Sequence, residues 1–319
     1  MTAAVTGTPS LSIVVIFHNM VREAERTLFT LSADYQIGVS AEDYEIIAID
    51  NGSDLPLSPN RVSSFGPNVK YQYLDTASVS PVDAVDLGGE AACGQFVAVI
   101  VDGARMASPG LVRATLSALE AMQNPFVCAL AWHLGPDVQN TSISNGYNQE
   151  IEDDLLDSID WRNNGYRLFE ISTLAQSSGV GFLGGLPSEC SWLALPRKRF
   201  QDIGGFDSRF RAPGGGLVNH DFLKRISADP TTGFVVLLGE GSFHQMHGGV
   251  ATNCPLAEHP MARFQEEYRS IHGKDYAQTS LPAPYYLGSL SPQMLKFVNP
   301  DLAWPTGLNE AASTFAEPK

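Results

Sequence analysis

Three stretches decide how this chain is read: LSIVVIFHN (residues 11–19), YEIIAIDNGSD (44–54) and QFVAVIVDGA (95–104). Each is an apolar run that stops abruptly at polar residues. Runs of this kind are strands buried on both faces of a mainly parallel sheet. In such open sheets the ligand sits beyond the carboxyl ends of the strands, where the connecting loops diverge. His18, Asn19, Asp50, Asn51 and Asp102 are therefore expected to line one crevice. Carboxylates at that edge add nothing to core packing, so the pattern points to a binding site.

Outward from these strands the chain alternates. Val21, Ala24, Leu28 and Leu31 recur at helical spacing, which predicts an amphipathic helix over 21–33. A Pro/Ser/Asn loop over 55–68 precedes VKYQYL (69–74), which alternates with period two. A Gly/Ala-rich stretch, 83–93, leads into the third strand. Pro109 is placed to open a helix running to about Met122, because proline suits a helix's first turn. PFVCALAWH (125–133) is a further strand. The β-α-β-α-β rhythm predicts an α/β, doubly wound, mainly parallel sheet with helices on both faces.

The flanks differ in composition. Residues 1–10 are expected to form a disordered tail and 11–250 one domain. Within it, 140–178 is a polar excursion whose acidic cluster (Glu150, Glu152, Asp153, Asp154, Asp157) reads as a solvated helix surface. Residues 251–319 are expected to be a helical extension ending in a loose tail rich in Pro, Ala, Glu and Ser.

Charge excludes some partners. With 20 Lys plus Arg against 35 Asp plus Glu, the formal net charge is −15. No basic stripe is available to neutralise phosphates in series, so a nucleic-acid or anionic-membrane partner is disfavoured. A phosphorylated small molecule remains open, given a metal ion or a local arginine. Cys93, Cys128, Cys190 and Cys254 form no CxxC pair, as expected of reduced thiols in a cytoplasmic protein. Residues 1–10 lack the basic and apolar parts of a secretion signal. No apolar segment is long enough to span a bilayer, so no integral membrane segment is expected.

Five motifs in order carry a family resemblance: SIVVIFHN, EIIAIDNGSD, VIVDGARMASP, GGFDSRFRAPGGGLVNHDFLKR and FHQMHGG. Together they resemble the GT-A-fold glycosyltransferases, specifically the large family 2 of inverting enzymes that use nucleotide-sugar donors. The likeness covers roughly residues 11–249. It implies a UDP- or GDP-sugar donor, a saccharide or other hydroxyl acceptor and a divalent cation, Mn2+ or Mg2+. The first two loops, with His18, Asn19, Asp50 and Asn51, would hold base and ribose, a carboxylate accepting from ribose hydroxyls or a base N–H. The same Asp-Asn-Gly-Ser residues also suit a plain turn.

Asp102 falls where the family's DXD motif begins. The second carboxylate of that motif is Ala104 here, which removes one oxygen ligand of a hard cation. Arg105, beside the gap, either gives its charge to the phosphates or is an ordinary surface arginine. In related enzymes a metal-binding His comes from the region of FHQMHGG. His244 and His247 are therefore metal ligands, hydrogen-bond donors to a diphosphate, or structural histidines.

An inverting transfer needs a general base for the acceptor hydroxyl. The family takes it from a carboxylate in a Gly-Gly-Glu-Asp-x-Asp segment, where this chain has Asn219, an amide. Asp221 and His220 remain as candidates, Asp221 also suiting a helix cap. Glu189 is a third candidate; Trp192 beside it is either a sugar platform or core. The loops around Gly204-Gly205 and Gly214–Gly216 permit close backbone approach or a mobile lid. Two rivals stand: a degenerate or metal-independent member that binds nucleotide sugar without turnover, and a nucleotidyltransferase. The loop after the first strand lacks the glycines of a nucleotidyltransferase. No G-x-G-x-x-G follows that strand either, which argues against a dinucleotide-binding dehydrogenase.

Overall fold

Alternation along the first strand sets the two layers of the molecule. In β1 (Leu11–Phe17) the side chains of Leu11, Ile13, Val15 and Phe17 enter one core, and Val14 and Ile16 the other. Burial of each such side chain contributes about 1.5–3 kcal/mol. The computed structural model describes residues 7–175, 182–278 and 280–298. After β1 come α1 (Val21–Leu31), β2 (Tyr44–Asn51), α2 (Pro59–Ser63), β3 (Val69–Leu74), α3 (Val82–Ala91), β4 (Phe96–Ile100) and β5 (Arg105–Ala107). Next are α4 (Leu111–Ala121), β6 (Pro125–Leu134), α5 (Gln139–Ser144), α6 (Gln149–Asp157), β7 (Ser172–Leu174) and β8 (Leu193–Pro196). The chain continues with α7 (Arg197–Asp202), α8 (Val218–Ser227), β9 (Gly233–His244), α9 (Met261–His272), β10 (Tyr285–Gly288) and α10 (Leu295–Val298).

The strands form one sheet in the order β10-β9-β6-β8-β4-β1-β2-β3. All run parallel except β8, which is antiparallel to both β4 and β6; the short β5 and β7 pair antiparallel with β9 and β6. Side chains from α1, α2 and α4 join the core on one face, and those from α3, α7, α8 and α9 the core on the other. The α/β, mainly parallel sheet covered on both faces is what the sequence predicts.

The inverted β8 matters for position. Its amino end lies where its parallel neighbours finish, so residues 189–192 reach the same edge as the loops after β1, β2, β4, β6 and β9.

Three expectations change. The Gly/Ala-rich stretch is a helix, α3, and Gly88 explains its composition: a Cβ there would lie 2.3 Å from Val14 Cγ1. The helix thus rests on β1 closer than any side chain permits. The segment after 251 is not purely helical, because β10 extends the sheet beside β9. Its expected loose tail, the last fifteen or so residues, lies outside the described residues, as do residues 1–6 of the amino-terminal tail. The acidic cluster is not simply a solvated surface either. Glu152 is fully buried, and Arg22 lies 3.2 Å from it while also donating to Asp153 at 2.5 Å. Among the described residues no helix is long and apolar enough to cross a membrane.

Candidate functional site

Strand β4 ends at Ile100, and the chain turns through Asp102-Gly103-Ala104 into β5, which pairs with the end of β9 so that Arg105 faces His244 across the ladder. This hairpin carries Asp102 to the histidines. Asp102 Oδ2 lies 2.7 Å from His244 Nε2 and 3.4 Å from His247 Nε2, and the two Nε2 atoms are 3.1 Å apart. Gly103 makes the turn possible: its N–H donates to Ile16 O at 2.8 Å, and an added Cβ would lie 2.4 Å from the Phe17 ring. Thr27 of α1 donates to Gly103 O at 2.6 Å and fixes the turn from the other side.

Opposed charges set the protonation of the cluster. Burial pushes His244 down to about 4, the Asp102 carboxylate only partly offsetting it, so the imidazole is neutral near pH 7. Burial also weighs against charge on His247, but there Asp102 outweighs it and the pKa rises above the usual imidazole value. For Asp102 itself, burial would raise the pKa; the imidazoles of His247 and His244 overcome this and hold it well below the usual carboxylate range. His133, whose ring centroid is 5.4 Å from that of His244, is held well below the imidazole range by burial first, then by the nearness of His244 and Arg105, with Asp102 acting against them.

Arg105 is 8 % exposed, with Nη2 3.9 Å from Asp102 Oδ2, and its buried Nη1 has no hydrogen-bond partner among the described residues. It is not an ordinary surface arginine. The guanidinium offers an unmatched donor beside the cluster.

The three ligand atoms fit one divalent ion. Ligands held at about 2.1 Å from a common ion stand roughly 3.0–3.4 Å apart, close to the separations seen here. One carboxylate and two imidazoles suit Mn2+, Fe2+ or Zn2+ better than Mg2+, which prefers oxygen. Ala104, where a DXD motif has its second carboxylate, has its side chain fully buried in the core that contains Phe17, so no charged group could stand there. His244 at the end of β9 and His247 in the loop that follows stand beside Asp102 and could serve as ligands with it.

Next along the edge, the loops after β1 and β2 are stitched together. His18 Nδ1 donates to Asn51 O at 2.8 Å, the Asn19 N–H to Ser53 Oγ at 2.8 Å, and the Asp54 N–H to Asn19 Oδ1 at 2.9 Å. Asn19 sits at φ 54°, a left-handed conformation asparagine tolerates. His18 and Asn19 remain exposed. Asp50 does not line the crevice. It is fully buried, with Oδ1 accepting from Ser53 N at 3.1 Å and Oδ2 from Leu57 N at 2.9 Å and Tyr71 Oη at 3.3 Å. The expected ribose contact is unavailable to it, because both oxygens hold the turn. Asn51 donates to Ser78 O and Ser80 O, and its Oδ1 has no partner among the described residues.

The helix α8 departs from expectation. Asp221 is 3 % exposed in its side chain; Oδ2 accepts from Arg225 Nε at 2.8 Å and Oδ1 lies 3.1 Å from His272 Nε2. Arg225 in turn donates to Ile203 O and Gly205 O. Asp221 is thus the anchor of a structural clamp, not a free base. The His220 ring packs edge-on to Tyr276 at 5.3 Å, in the seam with Lys224 and Leu281. The ring is half-buried, and its Nδ1 has no hydrogen-bond partner among the described residues. Asn219 is bound at both ends of its amide to the Cys190 backbone. Trp192 is core, its Nε1 donating to Thr115 Oγ1 at 3.1 Å. Glu189 is half-buried, as His220 is, and makes no hydrogen bond or ion pair among the described residues.

Several contributors escaped sequence reasoning. Gln139, Asn253, Arg22 and Glu152 surround the histidines, and only the closeness of Asn253 to the FHQMHGG segment signals a role. A hollow of about 520 Å³ beside Lys198, Arg199 and Asp229 lies at the opposite, amino edge of the sheet and carries none of this chemistry.

The chain matches no protein-family model and no curated protein. Among solved structures it is similar to S. aureus TarS, at 12 % identity over 74 % of this chain and 37 % of that one, TM-score 0.48. It is similar also to TarS 1-349, alone and in complex with UDP, at 12 % identity over 74 % of this chain and 60 % of those, with TM-scores of 0.46 and 0.48. The chain therefore spans less than two thirds of the length of these structures.

Proposed function

We propose that the protein transfers a sugar, with inversion, from a nucleotide diphosphate sugar (UDP- or GDP-) to an acceptor hydroxyl. The observation that carries this is the convergence of Asp102, His244 and His247 beside the unmatched guanidinium of Arg105. Asp102 and Arg105 cancel in charge and His244 is neutral, so a bound divalent ion would leave the pocket positive, as a diphosphate requires. The five sequence motifs point the same way.

In this reading Asp102, His244 and His247 hold Mn2+, which when bound supplies Lewis-acid stabilisation of the diphosphate leaving group. Arg105 donates to phosphate oxygens and adds charge where it accumulates. His18, Asn19 and Asn51 border the nucleoside end. Glu189 accepts the acceptor hydroxyl's proton as that oxygen attacks the anomeric carbon and the bond to the diphosphate breaks.

Thermal unfolding with UDP or GDP, with and without Mn2+, tests it. A ligand at a hundred times its Kd adds about 2.7 kcal/mol, a shift of several degrees. The reading predicts that shift for nucleotide with Mn2+, and no shift with either nucleotide under any condition sinks it. A second reading, binding without turnover, draws on Asn219 standing where the family has its base. Donor hydrolysis by wild type but not by Glu189→Gln separates the two.

A further inference from the structure

The two imidazoles are held by a pair of amides that no motif announces. Gln139 opens α5, directly after the loop that leaves β6, and is fully buried. Its Nε2 donates to the backbone carbonyl of His244 at 3.0 Å, which fixes the orientation of the amide and turns Oε1 toward the ring. Oε1 lies 2.6 Å from His244 Nδ1. An amide oxygen only accepts, so Nδ1 must carry a proton, which leaves Nε2, 2.7 Å from Asp102 Oδ2, as the nitrogen that a metal ion can take. The same Oε1 accepts from Asn253 Nδ2 at 2.7 Å. Asn253 Oδ1 in turn accepts the consecutive N–H groups of His247, Gly248 and Gly249 at 3.0, 2.9 and 3.0 Å.

We infer that Gln139 is a positioning residue that locks His244 in the tautomer able to bind a metal, and that through Asn253 it fixes the His247 loop against the same point. The inference rests on the metal reading of the Asp102 cluster given above. Partners behind the ligating histidine set its tautomer and aim, and their loss commonly weakens a metal site about 10–100-fold. One amide oxygen shared between the ring of one ligand and the loop of the other makes the two ligands move together. Gln139→Met keeps the volume and apolar packing while removing both hydrogen-bonding functions.

The test uses the full chain without nucleotide. Long-range 1H–15N NMR of the metal-free protein reads the tautomer, and Co2+ titration followed by its visible absorption reads affinity. The inference predicts an Nδ1-protonated His244 in wild type. In Gln139→Met it predicts a mixture of tautomers with Co2+ affinity reduced 10–100-fold, and Asn253→Ala should weaken Co2+ in the same direction. A wild-type His244 whose Nδ1 carries no proton, a folded Gln139→Met variant binding Co2+ within twofold of wild type, or no Co2+ binding by wild type overturns it. Should Gln139→Met fail to fold, the wild-type tautomer still decides. Loss of the nucleotide effect with Co2+ binding intact would sink the transferase reading and leave this assignment standing.

Discussion

Asn219 is paired with the backbone of Cys190 through both ends of its amide, Nδ2 donating to the carbonyl at 2.7 Å and Oδ1 accepting the N–H at 3.1 Å. The pair ties the start of α8 to the segment that enters β8. It leaves the carboxylate of Glu189, the neighbour of Cys190, without a hydrogen-bond or ion-pair partner among the described residues. General-base removal typically costs 10²–10⁴ in rate. Glu189→Gln is therefore expected to lower kcat by about that factor while the donor Kd, read by calorimetry, stays put. An unchanged kcat would return the base to another residue.

Asp221→Ala separates the clamp from catalysis. Breaking a buried ion pair and leaving its partner behind costs about 3–5 kcal/mol. Since a quarter of Arg225 remains in water, a loss nearer 2–3 kcal/mol in denaturant unfolding is expected. Mn2+ affinity of the folded variant should match wild type. A variant of wild-type stability with no activity would restore Asp221 as a base.

Arg22 and Glu152 form a clamp on the His247 loop. Glu152 accepts the Met246 N–H at 2.7 Å, and Arg22 donates to Met246 O at 3.2 Å. Burial raises Glu152 to about 7 against these partners. Arg22→Ala is expected to lower the melting temperature and to weaken Mn2+ several-fold by loosening the loop. Equal Mn2+ binding in both proteins would show that the clamp is indifferent to the ligands.

Acid acts on the metal-free protein through His244. Its folded pKa of about 4 lies below the unfolded imidazole value near 6.5. Between these values the unfolded chain binds more protons, so stability falls as pH falls through the window. His133, shifted in the same direction, adds to the loss. Denaturant unfolding at pH 7 and pH 4.5 should differ by roughly 2–3 kcal/mol from His244. His244→Gln should flatten the profile. For His247 the shift is upward, so Mn2+, which displaces its proton, should bind more tightly as pH rises through that pKa.

β1, β2, β4 and β6 were legible because each is an uninterrupted apolar run, and the edge of the site because such runs end together. Asp102, His244 and His247 were readable by type and place. Asp50 misled because a carboxylate at a strand end serves a turn as readily as a ligand, and only its two filled oxygens tell these apart. Asp221 misled similarly, its partner Arg225 lying one helical turn on. Gln139 and Glu152 were illegible because their partners lie about a hundred residues away in sequence and only the fold brings them to β9. β10 is only four residues long, so no periodicity marked it.

Calorimetric titration of UDP and GDP into the protein with Mn2+, with EDTA, and with Mn2+ in His247→Ala addresses the central claim most directly. The account predicts binding of one nucleotide with Mn2+, weakened at least tenfold by EDTA and by His247→Ala alike. Binding of neither nucleotide, or binding indifferent to both the ion and His247, would contradict it.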